Sequence, residues 1–118
     1  MSVEDAKRAV DIGASAVMIS NHGGRQLDGS TAPFDQLGPI VDAVGDQIEV
    51  IVDGGVRRGT HVLKALAMGA TACMIGRGYL YAVAAGGYAG VDRALTRLRE
   101  EIERDMICLL YTSDAADE

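Results

Sequence analysis

The sequence has 118 residues, of which 48% are hydrophobic and 24% charged, which is enough for one modest globular domain and too few for two. Its formal net charge of −6 excludes the basic surface that nucleic-acid binding requires. The two cysteines lack the spacing of a zinc site, so no metal is expected. The sequence shows neither the pattern of a secretory signal peptide nor an apolar run long enough for a transmembrane helix. These features favour a reduced cytoplasmic protein and leave peripheral membrane contact open.

Helical patterns alternate with short apolar runs along most of the chain. Ser2 is placed to cap the first helix, and the apolar runs lack polar alternation, which predicts strands covered on both faces. In chain order we predict a helix ending at Gly13, a strand over 14–20, a helix over 34–44, a strand over 50–52, a helix over 60–68, a strand over 72–75, an apolar segment over 79–85, a glycine-rich turn, and a long amphipathic helix from Val91 to about Leu109. Met18, Met68 and Met74 are expected to be buried.

This alternation predicts an α/β protein with parallel strands. Polar and glycine-rich segments follow each predicted strand, as they do both in (β/α)₈ barrels and in open doubly wound sheets. A complete barrel needs about 200 residues or more, so the chain can hold only about three βα units of one.

The segment Ser-Asn-His-Gly-Gly-Arg-Gln-Leu-Asp-Gly directly follows the first predicted strand, at residues 20–29. A histidine exchanges protons near neutral pH, and an arginine offers a planar pair of donors to a carboxylate. His22 and Arg25 on one strand-end loop therefore indicate a site for a small organic acid. The alternative is a histidine hydrogen-bonded in a turn beside a solvated arginine.

Two more strand-end segments are suited to an anion. Asp-Gly-Gly-Val-Arg-Arg-Gly at residues 53–59 leads into a predicted helix, and Gly-Arg-Gly at residues 76–78 follows the next strand. Free backbone N–H groups, a helix N-terminus and arginine forks together predict a phosphate site. The alternative is a pair of plain turns with solvated arginines. His61, in the first turn of the helix, is expected to be solvated.

These three segments together resemble the C-terminal part of the FMN-dependent α-hydroxy acid dehydrogenases and oxidases. That family includes L-lactate dehydrogenase, glycolate oxidase, flavocytochrome b2 and mandelate dehydrogenase, and the resemblance extends over about residues 2–106. It implies a TIM (β/α)₈ barrel, with His22 as the active-site base and substrate contact, Arg25 as the ligand of the substrate carboxylate, and Ser20 at the flavin. For the FMN ribityl chain and phosphate it implies Asp53, Gly54, Gly55, Val56, Arg57, Gly76 and Arg77.

The resemblance also implies residues that this sequence does not contain. Family members have a lysine near the flavin, together with tyrosines and an aspartate, on strands that come before the first helix of this chain. We therefore assign residues 1–109 to a partial barrel domain of this family. Residues 110–118 are assigned to a tail that does not resemble the family and is similar to a translated sequencing-adapter read-through.

The function implied by the resemblance is FMN-dependent oxidation of a lactate-like L-2-hydroxy acid to the 2-oxo acid, by a longer enzyme of which this chain is a fragment, inactive alone. The electron acceptor stays open among oxygen, a quinone and a cytochrome, and the longer enzyme is expected to be a homo-oligomer. Two alternatives remain. One is another phosphate-binding barrel, such as an inosine monophosphate dehydrogenase relative, although neither cysteine lies in a suitable loop. The other is a non-catalytic partial barrel that binds only phosphate or flavin.

Overall fold

The structure, a computed structural model, describes residues 2–114, and of residues 110–114 it describes the backbone alone. Its elements are α1 (Val3–Asp11), β1 (Ala16–Ser20), a short 3₁₀ helix (His22–Gly24), α2 (Pro33–Val44), β2 (Glu49–Asp53), α3 (Gly59–Ala67), β3 (Ala72–Met74) and α4 (Arg77–Asp114). The predicted order of helices and strands is confirmed, with ends that differ by a few residues. The 3₁₀ helix was not predicted.

The three strands form one parallel sheet in the order β1-β2-β3. Ser20 is paired with Asp53, and Asp53 with Met74, so the carboxyl ends of all three strands are level. The loops that follow the strands therefore start side by side along one edge of the sheet.

The core lies between the sheet and the helices. Ile19, Val50 and Val52 point from the strands into it and meet α2, whose Leu37 is fully buried. Alternate strand residues point to the opposite face, which no helix of the described chain covers. Met18 on β1 is 50% exposed as a result.

The prediction of strands covered on both faces is therefore wrong for this chain, and so is the burial of the methionines. Met74 is 47% exposed on the open face, and Met68, just after α3, is 43% exposed. The apolar runs do match a strand type that is buried on both sides, but the helices here supply only one of the two covering layers.

The helix ends follow the local sequence. Ser2 caps α1, because its side chain accepts a hydrogen bond of 3.2 Å from the Asp5 N–H. Pro33 begins α2, where a missing N–H costs nothing. After α3, Gly69 has φ +94° and a Cβ there would lie 2.6 Å from a methyl group of Val41, so glycine both ends the helix and lets α2 approach.

The last helix is divided by the predicted glycine-rich turn. Gly87 has φ +56° and, with Gly86, breaks α4 after its first nine residues. Beyond the break α4 packs across α3 at Gly59, where a Cβ would come within 2.7 Å of the Leu98 carbonyl oxygen. Among residues 2–114 there is no helix with the length and apolar character that crossing a membrane requires. Of the predicted 110–118 tail, residues 110–114 continue α4, and residues 115–118 lie outside the described residues.

Candidate functional site

The loops after the three strands enclose a cavity of about 580 Å³ at the carboxyl edge of the sheet. This volume is in the range of small-molecule and cofactor sites. The cavity brings together every residue predicted for the site except Ser20, namely His22, Arg25, Asp53, Gly54, Gly55, Val56, Arg57, Gly76 and Arg77.

The first loop, residues 20–29, holds His22 in an unusual backbone conformation. Its φ of +55° lies in the left-handed region that residues other than glycine rarely adopt. The His22 N–H donates to Ser20 Oγ over 3.1 Å, and the Ser20 hydroxyl donates to Asp53 Oδ2 over 2.6 Å. The first loop is thereby tied to the end of β2, and its histidine lines the cavity.

Ser20 differs from the other predicted site residues because it does not line the cavity. Its hydroxyl already has two protein partners, the His22 N–H as donor and the Asp53 carboxylate as acceptor. In the structure, Ser20 links Asp53 to the backbone of His22. Its predicted contact with the flavin stays a prediction.

The second loop, residues 53–59, depends on its glycines. Gly54 and Gly55 have φ values of +108° and +77°, and a Cβ on Gly54 would lie 3.3 Å from Asn21 Oδ1. Gly55 has open space where its Cβ would be. This loop can therefore present bare backbone to a ligand, and the Arg57 side chain lines the same cavity.

The N-terminus of α3 was predicted to face the anion, and this is wrong. Glu101 of α4 already occupies it, accepting from the Gly59 N–H over 2.7 Å and from Arg58 Nε over 2.9 Å. The hydrogen bonds from Arg58 and from Gly59 lower the pKa of Glu101, and the same contact raises the pKa of Arg58. Of the two adjacent arginines, only Arg57 lines the cavity.

The helix that does begin at the cavity is α4. Its first two residues, Arg77 and Gly78, line the cavity, and Leu80 and Tyr81 follow on the next turn. The Arg77 guanidinium donates to the Gly23 carbonyl, so it joins the third strand-end loop to the first. Gly23 has a φ of +68°, a backbone conformation that other residues rarely adopt, which accounts for a glycine at this point.

Some residues around the site were missed by the sequence reasoning. Leu80 and Tyr81 gave no signal, because apolar residues in a helix are usually read as core. His61 is exposed, as expected, but its contacts were not foreseen: its Nδ1 lies 3.3 Å from both the Arg57 nitrogen and the Gly55 carbonyl oxygen. Glu101 lies 42 residues from Gly59 along the chain, beyond the reach of any local pattern.

The residues present fit a phosphorylated ligand that also carries hydroxyl groups. Arg57 and Arg77 bring two guanidinium groups to one cavity, and guanidinium forks match phosphate oxygens. The Asp53 carboxylate can accept hydrogen bonds from ligand hydroxyls. Adding a Cβ at Gly55 or Gly76 would meet nothing in the protein, so the backbone there is open to a ligand.

Comparison with known proteins also indicates a flavin-binding enzyme. The family profile described as FMN-dependent dehydrogenase matches residues 1–115. The pre-mycofactocin synthase of Mycobacterium tuberculosis is 53% identical over 113 residues, covering 96% of this chain and 28% of that protein. The L-lactate oxidase of Nostoc is 54% identical over 84% of this chain and 27% of its own length, and the 4-hydroxymandelate oxidase of Amycolatopsis orientalis is 52% identical over 90% and 30%.

Solved structures of a mandelate oxidase superpose on the chain. The one with benzoyl-formic acid has a TM-score of 0.86 and 52% identity, and it covers 90% of this chain and 32% of the other. The mutant with the monooxide FMN adduct gives the same score and identity, with coverages of 90% and 34%. The fold is therefore part of a TIM barrel, as predicted, and the open doubly wound sheet is excluded.

These findings decide between the two barrel families that the sequence left open. The profile covers nearly the whole chain, and relatives above 50% identity match over most of it. The chain spans less than a third of the length of these relatives. This chain belongs to the family of FMN-dependent dehydrogenases and corresponds to a segment of their TIM barrel.

Proposed function

We propose that the complete enzyme, meaning the longer protein that contains this chain, oxidises an L-2-hydroxy acid to the corresponding 2-oxo acid with FMN. The observation that carries the proposal is the shared cavity. His22 and Arg25 from the first loop line the same space as Arg57 and Arg77 from the other two. A side chain that can accept a proton and one that can bind a carboxylate thus lie beside two guanidinium groups suited to a phosphate.

In this proposal the first loop performs the chemistry on the substrate. Arg25 binds the substrate carboxylate through its planar fork and sets the orientation of the carbon to be oxidised. His22 contacts the substrate and removes a proton from it as general base. Its backbone is held for this role by the hydrogen bond to Ser20 Oγ, which Asp53 fixes in turn.

The other two loops hold the cofactor. FMN, when bound, takes up the two electrons that leave the substrate. Arg57 and Arg77 bind its phosphate, assisted by the open backbone at Gly54, Gly55 and Gly76 and by Val56, while Asp53 accepts hydrogen bonds from ribityl hydroxyls. Ser20, at the start of the first loop, would contact the flavin.

The substrate is proposed only as a class, a small lactate-like hydroxy acid. Relatives of nearly equal identity carry the names L-lactate oxidase, 4-hydroxymandelate oxidase and pre-mycofactocin synthase, so identity in this segment does not select among their substrates. The acceptor stays open among oxygen, a quinone and a cytochrome. The yeast relative, 51% identical over 117 residues, is named L-lactate dehydrogenase (cytochrome). A homo-oligomeric enzyme in the cytoplasm, with or without peripheral membrane contact, stays a prediction.

The same proposal makes the 118-residue chain inactive by itself. Its sheet has one open face, with Met18 and Met74 about half exposed, so water reaches the site from that side. We propose residues 1–109 as the barrel segment and residues 110–118 as a tail beyond it, while the family profile itself extends to residue 115. Binding of phosphate or flavin without catalysis is the alternative for the isolated chain.

The test is to purify the complete enzyme and the 118-residue chain in parallel. The complete enzyme should be yellow, release FMN on denaturation, and be bleached anaerobically by lactate, glycolate, mandelate or 4-hydroxymandelate. The isolated chain with added FMN should bleach with none of them. A colourless complete enzyme, or one reduced only by a substrate that is not a hydroxy acid, would overturn the proposal.

A further inference from the structure

One side chain behind the second loop has no part in the proposed site. His61 is the third residue of α3, and its ring returns toward the loop that precedes the helix. Its Nδ1 lies 3.3 Å from the Arg57 nitrogen and 3.3 Å from the Gly55 carbonyl oxygen. Because His61 is exposed, close packing does not impose this position.

The ring contacts the loop from outside the cavity. Gly55, Val56 and Arg57 all line the cavity, whereas His61 does not. A contribution of His61 to ligand binding must therefore pass through the backbone that it contacts. That backbone includes Arg57, one of the two guanidinium-bearing residues of the site.

The Nδ1 atom can hold the loop in either neutral tautomer. With the proton on Nε2, Nδ1 accepts from the Arg57 N–H, and with the proton on Nδ1, it donates to the Gly55 carbonyl. Both hydrogen bonds join the loop to the first turn of α3. The loop has a reason to need this support, because Gly54 and Gly55 have no side chains and adopt left-handed φ values.

We propose that His61 is a positioning residue that holds the Gly55–Arg57 backbone in place for the phosphate of the flavin, and so favours FMN over riboflavin. The inference rests on the proposed function, in which Arg57 binds that phosphate. It assigns to His61 an effect on the phosphate end of the cofactor alone, since the first loop and its His22 are held separately by Ser20.

The experiment compares two flavins that differ only by the phosphate. Apoprotein of the complete enzyme is titrated with FMN and with riboflavin, and flavin fluorescence gives both Kd values. His61→Phe keeps a ring and removes the nitrogen, and it should weaken FMN binding about three- to tenfold, the worth of one neutral hydrogen bond, with the Kd of riboflavin unchanged. His61→Asn, which again offers an acceptor near the Nδ1 position, should recover most of the loss.

Thr60→Val is the matched control, because Thr60 is on the same turn of α3 but its hydroxyl donates to Asp105 of α4, away from the cavity. It should lower thermal stability and leave the FMN-to-riboflavin ratio as in the wild type. An unchanged ratio in His61→Phe, or an equal loss for both flavins, overturns the role of His61. If the wild type itself binds both flavins equally, the phosphate site of the proposed function is wrong and the inference falls with it.

Discussion

The first and second loops of the site are held in place by different parts of the molecule. The first loop is joined to the sheet, through the His22 N–H, Ser20 Oγ and the Asp53 carboxylate. The second loop is joined to the helices behind it, through Glu101 of α4 at Arg58 and Gly59. The difference teaches that substitutions in the helices can reach the cofactor end of the site without touching the proposed chemistry.

The largest expected effect is on the first loop. In the complete enzyme, His22→Gln removes the base but keeps a hydrogen-bonding side chain, so kcat should fall by about 10²–10⁴-fold. The second loop should be unaffected, and FMN content after gel filtration, measured by absorbance, should equal that of the wild type. A near-normal kcat would mean that another group takes the proton and that the histidine is structural.

Arg77 tests whether the two loops are separate, because it donates to Gly23 of the first loop and lines the cavity beside Arg57. Arg77→Ala should weaken FMN binding by about 10- to 150-fold, since a hydrogen bond to a charged group contributes about 1.5–3 kcal/mol. Fluorescence titration of the apoprotein gives the Kd. Full retention of FMN through dialysis would contradict the phosphate assignment.

Arg25→Lys tests whether the first loop acts on the substrate and not on the cofactor. Lysine keeps the positive charge and loses the planar fork, so KM should rise and kcat should fall, each by about tenfold, because the carboxylate is held in both the ground state and the transition state. Steady-state kinetics separates the two constants. The FMN Kd serves as the control, and a change in it as large as that in KM would show that Arg25 also supports the cofactor.

The sequence predicts the framework of this chain well, because the framework is built from local patterns. Apolar runs and helical stripes located the three strands and their helices, and a parallel sheet follows from their alternation. The same patterns gave no warning that Met18 and Met74 would be exposed. An apolar run indicates that both faces of a strand need to be covered, but it does not show whether the same chain supplies the helices for both faces.

Part of the site was also predicted, because the residues that form this part follow the strands directly in the sequence. Residues at strand ends, such as His22 and Arg57, meet because parallel strands end at one edge. Contacts between helices are a different matter. The capping of α3 by Glu101 depends on how α4 crosses α3 at Gly59, and no spacing in the sequence encodes that crossing.

The smallest expected effect concerns Glu101, and it depends on pH. Hydrogen bonds from Arg58 and from the Gly59 N–H lower its pKa in the folded state below the ordinary value of 4.5. A carboxyl group whose pKa is lowered by folding stabilises the fold above its unfolded pKa, and this stabilisation is lost as the pH falls through the folded pKa.

Glu101→Gln in the complete enzyme can still accept from the Gly59 N–H but carries no charge for Arg58. Its urea midpoint should be slightly below that of the wild type at pH 7, and the two should converge as the pH falls from about 4.5 through the lower pKa of the folded state, where the wild-type carboxyl becomes neutral as well. Arg99→Gln is the matched control, since it removes an exposed ion pair within α4, with Glu103, that does not reach α3. A constant gap between Glu101→Gln and the wild type down to pH 3 would show that the charge of Glu101 is irrelevant. The second loop would then be held by the geometry of the helix crossing alone.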